Sequence, residues 1–375
     1  MQRNFILTDV MKTGDHVSYE RFIDTHSLRN QSFEYTGEYY TLHKYALDSY
    51  DRLFAFIDMR IHNNRQNDND VYQKDLMQRL ELLHQQGFNF IIANPWESTD
   101  NLNSQIFVTG EPMRQVQIPY PSFTWTGGVS WFWNFMYHKF KDNRPKVSHD
   151  HNGSYWHKVH DFLYLNKATR KHRLSLYNKL QQENILDNSL HTFLNMKPPK
   201  RLPKKYELPG IEPEHYPRWG MDQEMYALPY TDTVCSIVSE TNDNNFEIFM
   251  TEKIWKPIMA QHVFVVHGNY LYLQKLREMG FKTFGSYIDE SYDLEKDPNK
   301  RIEMLVSLCK DMKLLCDNGS AVERGNKKWQ DIYLQTQSLR KHNYDTFFNE
   351  EKLSHQVNKT LQLFLEFADT GQVSS

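Results

Sequence analysis

The sequence predicts an α/β chain of two domains, and three observations carry that expectation. Two short β-branched runs, Val234–Val238 and Val263–Val266, bracket a polar loop and a helix-forming segment. Runs of this kind, bounded by turn residues, are typical of buried parallel strands. The same alternation occurs nearer the start, where Leu53–Ile61 and Phe88–Ala93 flank an amphipathic stretch through Val71, Leu76, Leu80 and Leu83. The length, 375 residues, suits two domains of ordinary size.

Composition narrows the function classes. The chain is 39% hydrophobic and 24% charged with a formal net charge of −3, too balanced to imply a nucleic-acid or membrane surface. The aromatic share of 14% is high enough to fill a core and leave rings for stacking on sugars or bases. Cys235, Cys309 and Cys316 are odd in number and lack metal-ligand spacing, so they are read as reduced structural thiols in a cytoplasmic setting. Met1–Val10 lacks the apolar core of a signal peptide, and no run reaches the length of a membrane helix.

Taken in order, residues 1–50 read as irregular, and Leu53–Ile61 as the first strand. Asp68-Asn69-Asp70 has the form of a D-x-D metal motif, but it sits among Asn and Gln and leads into the amphipathic stretch. It reads better as a loop entering a helix cap. Gly87 closes that helix and Phe88–Ala93 is the next strand. The loop Asn94-Pro95-Trp96-Glu97-Ser98-Thr99 follows, at the strand end where two-domain α/β enzymes face their cleft. Tyr120, Phe123, Trp125, Trp131, Phe132 and Trp133 form an aromatic cluster that either packs the core or lines a sugar site. His149, Asp150, His151, His157 and His160 crowd a polar, linker-like stretch, which is read as no metal site.

The domain boundary is expected near residue 155, giving 1–155, then 156–345, then a C-terminal helix and tail over 346–375. Asp161–Asn166 reads as a strand, followed by a basic loop and helix over Lys167–Leu180. Met196–Pro213, rich in Pro and Lys, reads as an extended surface loop. Thr251 is a plausible N-cap that places Glu252 and Lys253 in a first helical turn, where free N–H groups and the helix dipole favour phosphate. Lys253 adds a point charge for a diphosphate, and Glu252 an acceptor for ribose hydroxyls. The plainer alternative is a well-capped helix start with a solvated lysine. Further on come a helix over Leu271–Met279, a short strand at Lys282–Phe284 and an acidic loop at Ile288–Tyr292. That loop either meets the donor or caps a helix. Helices are expected over 298–317, 322–340 and 350–368.

The central motif resembles the donor-binding motif of the α1,3-fucosyltransferases. Ser239-Glu240-Thr241, a polar loop, Phe249-Met250-Thr251-Glu252-Lys253-Ile254-Trp255 and a β run ending in His267-Gly268 are similar to that family's F-E-N, loop, Y-[VI]-T-E-K-[LI] and following strand. The chain departs from the pattern at Ser239-Glu240-Thr241, at Pro257 inside the helix and at Gln261-His262. The resemblance implies two Rossmann-like domains of GT-B type with a donor-binding cleft between them, and a metal-independent, inverting glycosyltransferase with no cofactor. Its donor would be a nucleotide sugar such as GDP-fucose, and its acceptor a glycan. By the same resemblance, Arg173 or Arg170 clamps the diphosphate with Lys253. Asn166 ends the strand before them, and Glu240 assists Glu252 on the ribose. Glu97 is the candidate general base. Two other readings stay open. One is a non-catalytic nucleotide- or carbohydrate-binding protein on the same fold. The other is a glycosyltransferase acting on modified DNA bases, which needs a basic excess that only the Lys200–Lys205 stretch supplies.

Overall fold

The computed structural model describes residues 4–9, 32–38, 44, 46–58, 69–94, 105–107, 115–117, 122–126, 130–147, 159–207, 224–241, 243, 248, 250–317 and 333–370. The chain is α/β and divides into two compact units, Met1–Trp131 with Glu351–Ser375, and Phe132–Glu350.

The first unit is built on a five-stranded sheet. Its strands are β1 (Asn4–Asp9), β2 (Ser32–Glu38), β3 (Arg52–Asp58), β4 (Asn89–Asn94) and β7 (Ser122–Thr126), in the order β2-β1-β3-β4-β7. Every pairing in it is parallel. Helix α1 (Asn69–Gln85) crosses from β3 to β4 and stops at Gly87, whose φ of +86° is open to glycine at no steric penalty. A small antiparallel pair, β5 (Gln105–Phe107) with β6 (Gln115–Gln117), precedes β7.

Two expectations change here. Residues 1–50 are not wholly irregular, because β1 lies between β2 and β3 in the sheet. The Phe5–Ile6 pair is fully buried, the demand that a central parallel strand makes. The strand expected over Leu53–Ile61 runs from Arg52 to Asp58, with 59–61 outside the described residues. Of the D-x-D stretch, Asn69 and Asp70 open α1, as the capping reading expected, and Asp68 lies outside the described residues.

The second unit opens in helix α2 (Ser130–Phe140) and carries a four-stranded parallel sheet. Its elements are β8 (His160–Asn166), α3 (Lys171–Gln182), β9 (Leu190–Phe193), α4 (Leu228–Asp232), β10 (Thr233–Ser239), α5 (Glu252–Met259) and β11 (Val263–His267). The strand order is β11-β10-β8-β9. Every residue of β10 and β11 is buried, which explains their β-branched-rich runs. Helices α6 (Tyr272–Glu278), α7 (Pro298–Asp317) and α8 (Gln337–Phe347) follow among the described residues. Of the helix expected over 322–340, residues 333–340 are described, helical except for a turn at 336, and the helix continues past 340.

Lys282–Phe284 is not a strand. The Lys282 amide donates to Asn343 Oδ1 at 2.7 Å and the Phe284 amide to Glu290 Oε1 at 2.7 Å. Side chains satisfy the main chain that a ladder would otherwise pair.

Helix α9 (Glu350–Thr370) belongs, from Glu351 on, to the first unit. Phe364 packs on Phe5 and Phe54, and Arg52 Nε donates to the Ala368 carbonyl at 2.5 Å. The chain's last helix therefore closes the core that its first strand opens. Among the described residues, no helix is long and apolar enough to cross a membrane.

Candidate functional site

In the second unit β8 connects through α3 to β9 on one side, whereas β10 connects through α5 to β11 on the other. The connections leaving β8 and β10 therefore diverge. Open parallel sheets receive ligands at the carboxyl ends of such a strand pair. Asn166 ends β8, and Glu240 directly follows β10.

Glu240 ties the two sides together. Its carbonyl accepts from Arg173 Nε at 3.1 Å and Nη2 at 2.9 Å, and from His172 Nε2 at 3.1 Å, all on α3. Its carboxylate turns to α5, accepting from the Thr251 amide at 3.1 Å and the Thr251 hydroxyl at 2.6 Å. The Tyr272 hydroxyl adds a third bond, at 2.8 Å. Gly268 makes room for that phenol, since a Cβ there would lie 2.8 Å from the Tyr272 ring. Burial, together with the nearby Glu240 charge, pushes the Tyr272 hydroxyl well above its ordinary range and keeps it a donor.

Thr251 caps α5 as the sequence predicts. Lys253 Nζ lies 2.6 Å from Glu252 Oε1 and 3.0 Å from Thr251 Oγ1, and 3.5 Å from Thr241 Oγ1. Burial alone would raise the Glu252 carboxyl, but the Lys253 and Lys256 ammoniums outweigh it and hold it below the usual range. Glu240 moves the other way: burial raises it, and Lys253 and Thr251 recover only part of the shift.

The Glu240 shift has a measurable sign. A carboxyl raised in the folded state contributes stability at low pH that is lost as pH rises through the folded value. Glu240→Gln keeps an acceptor for the Thr251 amide and Tyr272 and removes the buried charge. Its stability relative to the wild type is expected to improve steadily as pH rises above the ordinary Glu range, as read by urea unfolding across pH. A difference independent of pH would contradict the buried-charge account.

The structure brings Asn166, Arg170, Arg173, Glu240, Thr251, Glu252 and Lys253 to the divergence of β8 and β10. Two expected geometries differ from what is found. Arg173 is 4% exposed, and the fork expected to grip two phosphates grips the Glu240 carbonyl instead. Glu240, expected to help hold a ribose, has its carboxylate fully buried among three protein donors. The buried carbonyl and carboxylate needed partners, and the nearest donors supplied them.

Arg170 stays exposed, with Nη1 on the Thr241 carbonyl at 3.0 Å. Asn166 is 4% exposed, its main chain pairs with Thr192, and neither side-chain polar atom has a hydrogen-bond partner. Glu97 lies outside the described residues. His172, Asp243, His267 and Tyr272 also belong to the cluster and were missed. His172 stood beside Arg173 in the basic stretch, but nothing local marked it.

Of the aromatic cluster, Phe132 and Trp133 are core residues of the second unit, with Trp133 stacked on Trp255 at 5.7 Å. In the acidic loop the capping alternative fits Asp289, which takes the Ser291 amide at the start of a short 3-10 helix, whereas Glu290 takes the Phe284 amide and Thr283 hydroxyl of the preceding turn. The adjacent Asp293 caps α6 through the Leu273 and Gln274 amides. Cys235 and Cys309 are buried thiols. Among the described residues, no three His, Cys, Asp or Glu side chains are grouped to hold a metal ion.

Among solved structures the chain is similar to an α1,3-fucosyltransferase, with a TM-score of 0.41 and 9% identity over 89% of this chain and 81% of that one. It is also similar to an α1,3-fucosyltransferase with GDP-fucose, with a TM-score of 0.40 and 8% identity over 93% of this chain and 91% of that one. A third, with GDP, gives 0.40 and 9% over 94% and 92%. No family model and no curated protein matches the chain. A likeness this weak assigns no residue its role.

Proposed function

We propose that the chain is a metal-independent, inverting glycosyltransferase that moves a sugar, fucose or a related one, from a nucleoside diphosphate donor to a glycan hydroxyl. One observation carries the reading. Three cations, from α3 with its N-cap and from α5, each lie within 3.5 Å of the two-residue segment Glu240–Thr241: Arg170 on the Thr241 carbonyl, Arg173 on the Glu240 carbonyl and Lys253 against the Thr241 hydroxyl. The segment sits where the connections of β8 and β10 part, beside the N-terminus of α5. Fixed positive charge at that place suits a bound diphosphate and stabilises the charge that grows on it as the sugar leaves.

In this reading Lys253 and Arg170 meet the diphosphate. Arg173 acts mainly through Glu240, holding the segment in place and adding its charge. Glu252, steadied as an anion, accepts from the ribose hydroxyls, and Asn166 offers its unpartnered amide to the donor. Glu97 keeps the general-base role that the resemblance implies, taking the acceptor proton as the hydroxyl attacks the anomeric carbon. The second unit binds the donor and the first serves the acceptor. The donor is GDP-fucose if the resemblance extends to the base and sugar, and the setting is cytoplasmic.

The test is thermal unfolding with GDP, UDP, ADP, CMP and their sugars, with EDTA present, followed by a transfer assay with the nucleotide sugar that stabilises. Stabilisation by one nucleotide class, with turnover lost in Glu97→Gln, is the expected result. Stabilisation without turnover in either protein would favour a binding protein on this fold, and no stabilisation by any of them overturns the reading.

A further inference from the structure

Behind the cation cluster, one carboxylate stands between two imidazoles. Asp243 Oδ1 is 3.7 Å from His172 Nδ1, and Asp243 Oδ2 is 3.9 Å from His267 Nε2. Both distances fall just outside hydrogen-bond reach. His267 is fully buried, its Nδ1 lies 3.3 Å from Ser239 Oγ, and its Nε2 has no hydrogen-bond partner. The rings are 5.5 Å apart. Arg301 of α7 holds the Asp243 main chain by donating to its carbonyl at 2.6 Å.

The tautomer of His172 follows from its partner. Nε2 lies 3.1 Å from the Glu240 carbonyl, and a carbonyl only accepts, so Nε2 carries the hydrogen. In the neutral ring Nδ1 then presents a lone pair to the Asp243 carboxylate, which repels it. One added proton turns that repulsion into a charge-assisted contact. The groups facing the ring disfavour that proton. Burial and the Arg173 and Arg170 guanidiniums lower His172, against the upward pull of Asp243 and the Glu240 carbonyl. Burial, His172, Arg301 and Arg173 hold His267 well below its ordinary range. The site has a place for a proton among positive charges that disfavour it.

A bound diphosphate reverses that balance. We propose that His172 takes up a proton from solvent when the diphosphate of a nucleotide sugar binds beside Arg170 and Lys253, and that Asp243 clasps the resulting imidazolium. His172 is a positioning residue here: the charged ring grips the Glu240 carbonyl more firmly and adds to the field that receives the leaving group. The inference rests on the nucleoside diphosphate reading above.

By linkage, donor affinity then falls with rising pH, by up to about tenfold per unit between the free and bound His172 values. The probe is GDP-fucose, whose phosphodiester-linked diphosphate has no group titrating near neutrality. Isothermal titration of the full chain from about pH 5.5 to about pH 8.5, in buffers of contrasting ionisation heat, reads affinity and proton uptake together. The wild type is expected to take up a large fraction of one proton per nucleotide sugar near neutrality. His172→Gln is expected to bind with a flatter pH profile and no such uptake, and Asp243→Asn to move the fall in affinity to lower pH. Binding by the wild type without proton uptake overturns this proposal and leaves the donor reading standing. Uptake that persists in His172→Gln also overturns it. Absence of GDP-fucose binding at every pH overturns this proposal, and the nucleotide screen described above then decides the donor reading separately.

Discussion

Lys253→Ala is expected to lower kcat/KM for transfer by about 10²–10³, the size seen when one preorganised group facing developing charge is removed. Lys253 Nζ is held by three oxygens, from Glu252, Thr251 and Thr241, so its charge is already in position before a donor arrives. A point charge fixed in advance needs no rearrangement as the leaving diphosphate gains charge, and there its effect exceeds that of a flexible surface lysine. The substitution also strips the largely buried Glu252 carboxylate of its nearest cation, so some stability is lost as well. The two effects separate by experiment. Rates taken well below the unfolding temperature report the charge, and the unfolding temperature itself reports the Glu252 pair. Near wild-type kcat/KM with a lowered unfolding temperature would reduce Lys253 to a counter-ion for Glu252.

The residues that could be read ahead of the structure share a physical trait: their signal is local. β10 and β11 are buried throughout, so their composition betrays them without any partner. Thr251-Glu252-Lys253 was legible because a cap and its first turn are adjacent in sequence. Strand β1 was overlooked although Phe5, Ile6 and Leu7 carry the pattern, because six residues with no readable helix after them resemble an irregular terminus. Lys282–Phe284 erred in the opposite direction. Thr283 and Phe284 suit a strand, but the Lys282 and Phe284 amides are taken by Asn343 and Glu290, and Asn343 is 61 positions from Lys282.

The site's long-range bonds were beyond reach for the same reason. The Arg173–Glu240 fork spans 67 positions and the Tyr272–Glu240 bond 32. Sequence placed both ends of the fork at the site but could not see that they would bind each other. That mutual engagement changes what Arg173 and Glu240 do. They build the segment that other residues use.

Trp255→Ala is expected to destabilise the second unit by about 3–5 kcal/mol, a large part of the roughly 5–15 kcal/mol available to a folded domain. The side chain is fully buried on α5, two residues after Lys253. It is stacked on Trp133, with Phe281 at 5.4 Å and Phe347 at 5.8 Å. These rings fix the helix whose N-terminus carries Thr251, Glu252 and Lys253, so the cavity would loosen the site as well as the core. Trp255→Phe should behave differently. The Trp255 Nε1 hydrogen has no partner, whereas Trp133 Nε1 donates to the Phe347 carbonyl at 2.9 Å. A buried N–H without an acceptor costs about 1–3 kcal/mol, and phenylalanine removes that penalty while keeping a ring in the stack. Thermal unfolding should therefore show a fall on the order of ten degrees for the alanine variant and a far smaller change for phenylalanine. Nucleotide binding should survive only in the phenylalanine variant. Equal losses in the two would mean that the whole indole outline, and not the stacked ring, holds α5 in place.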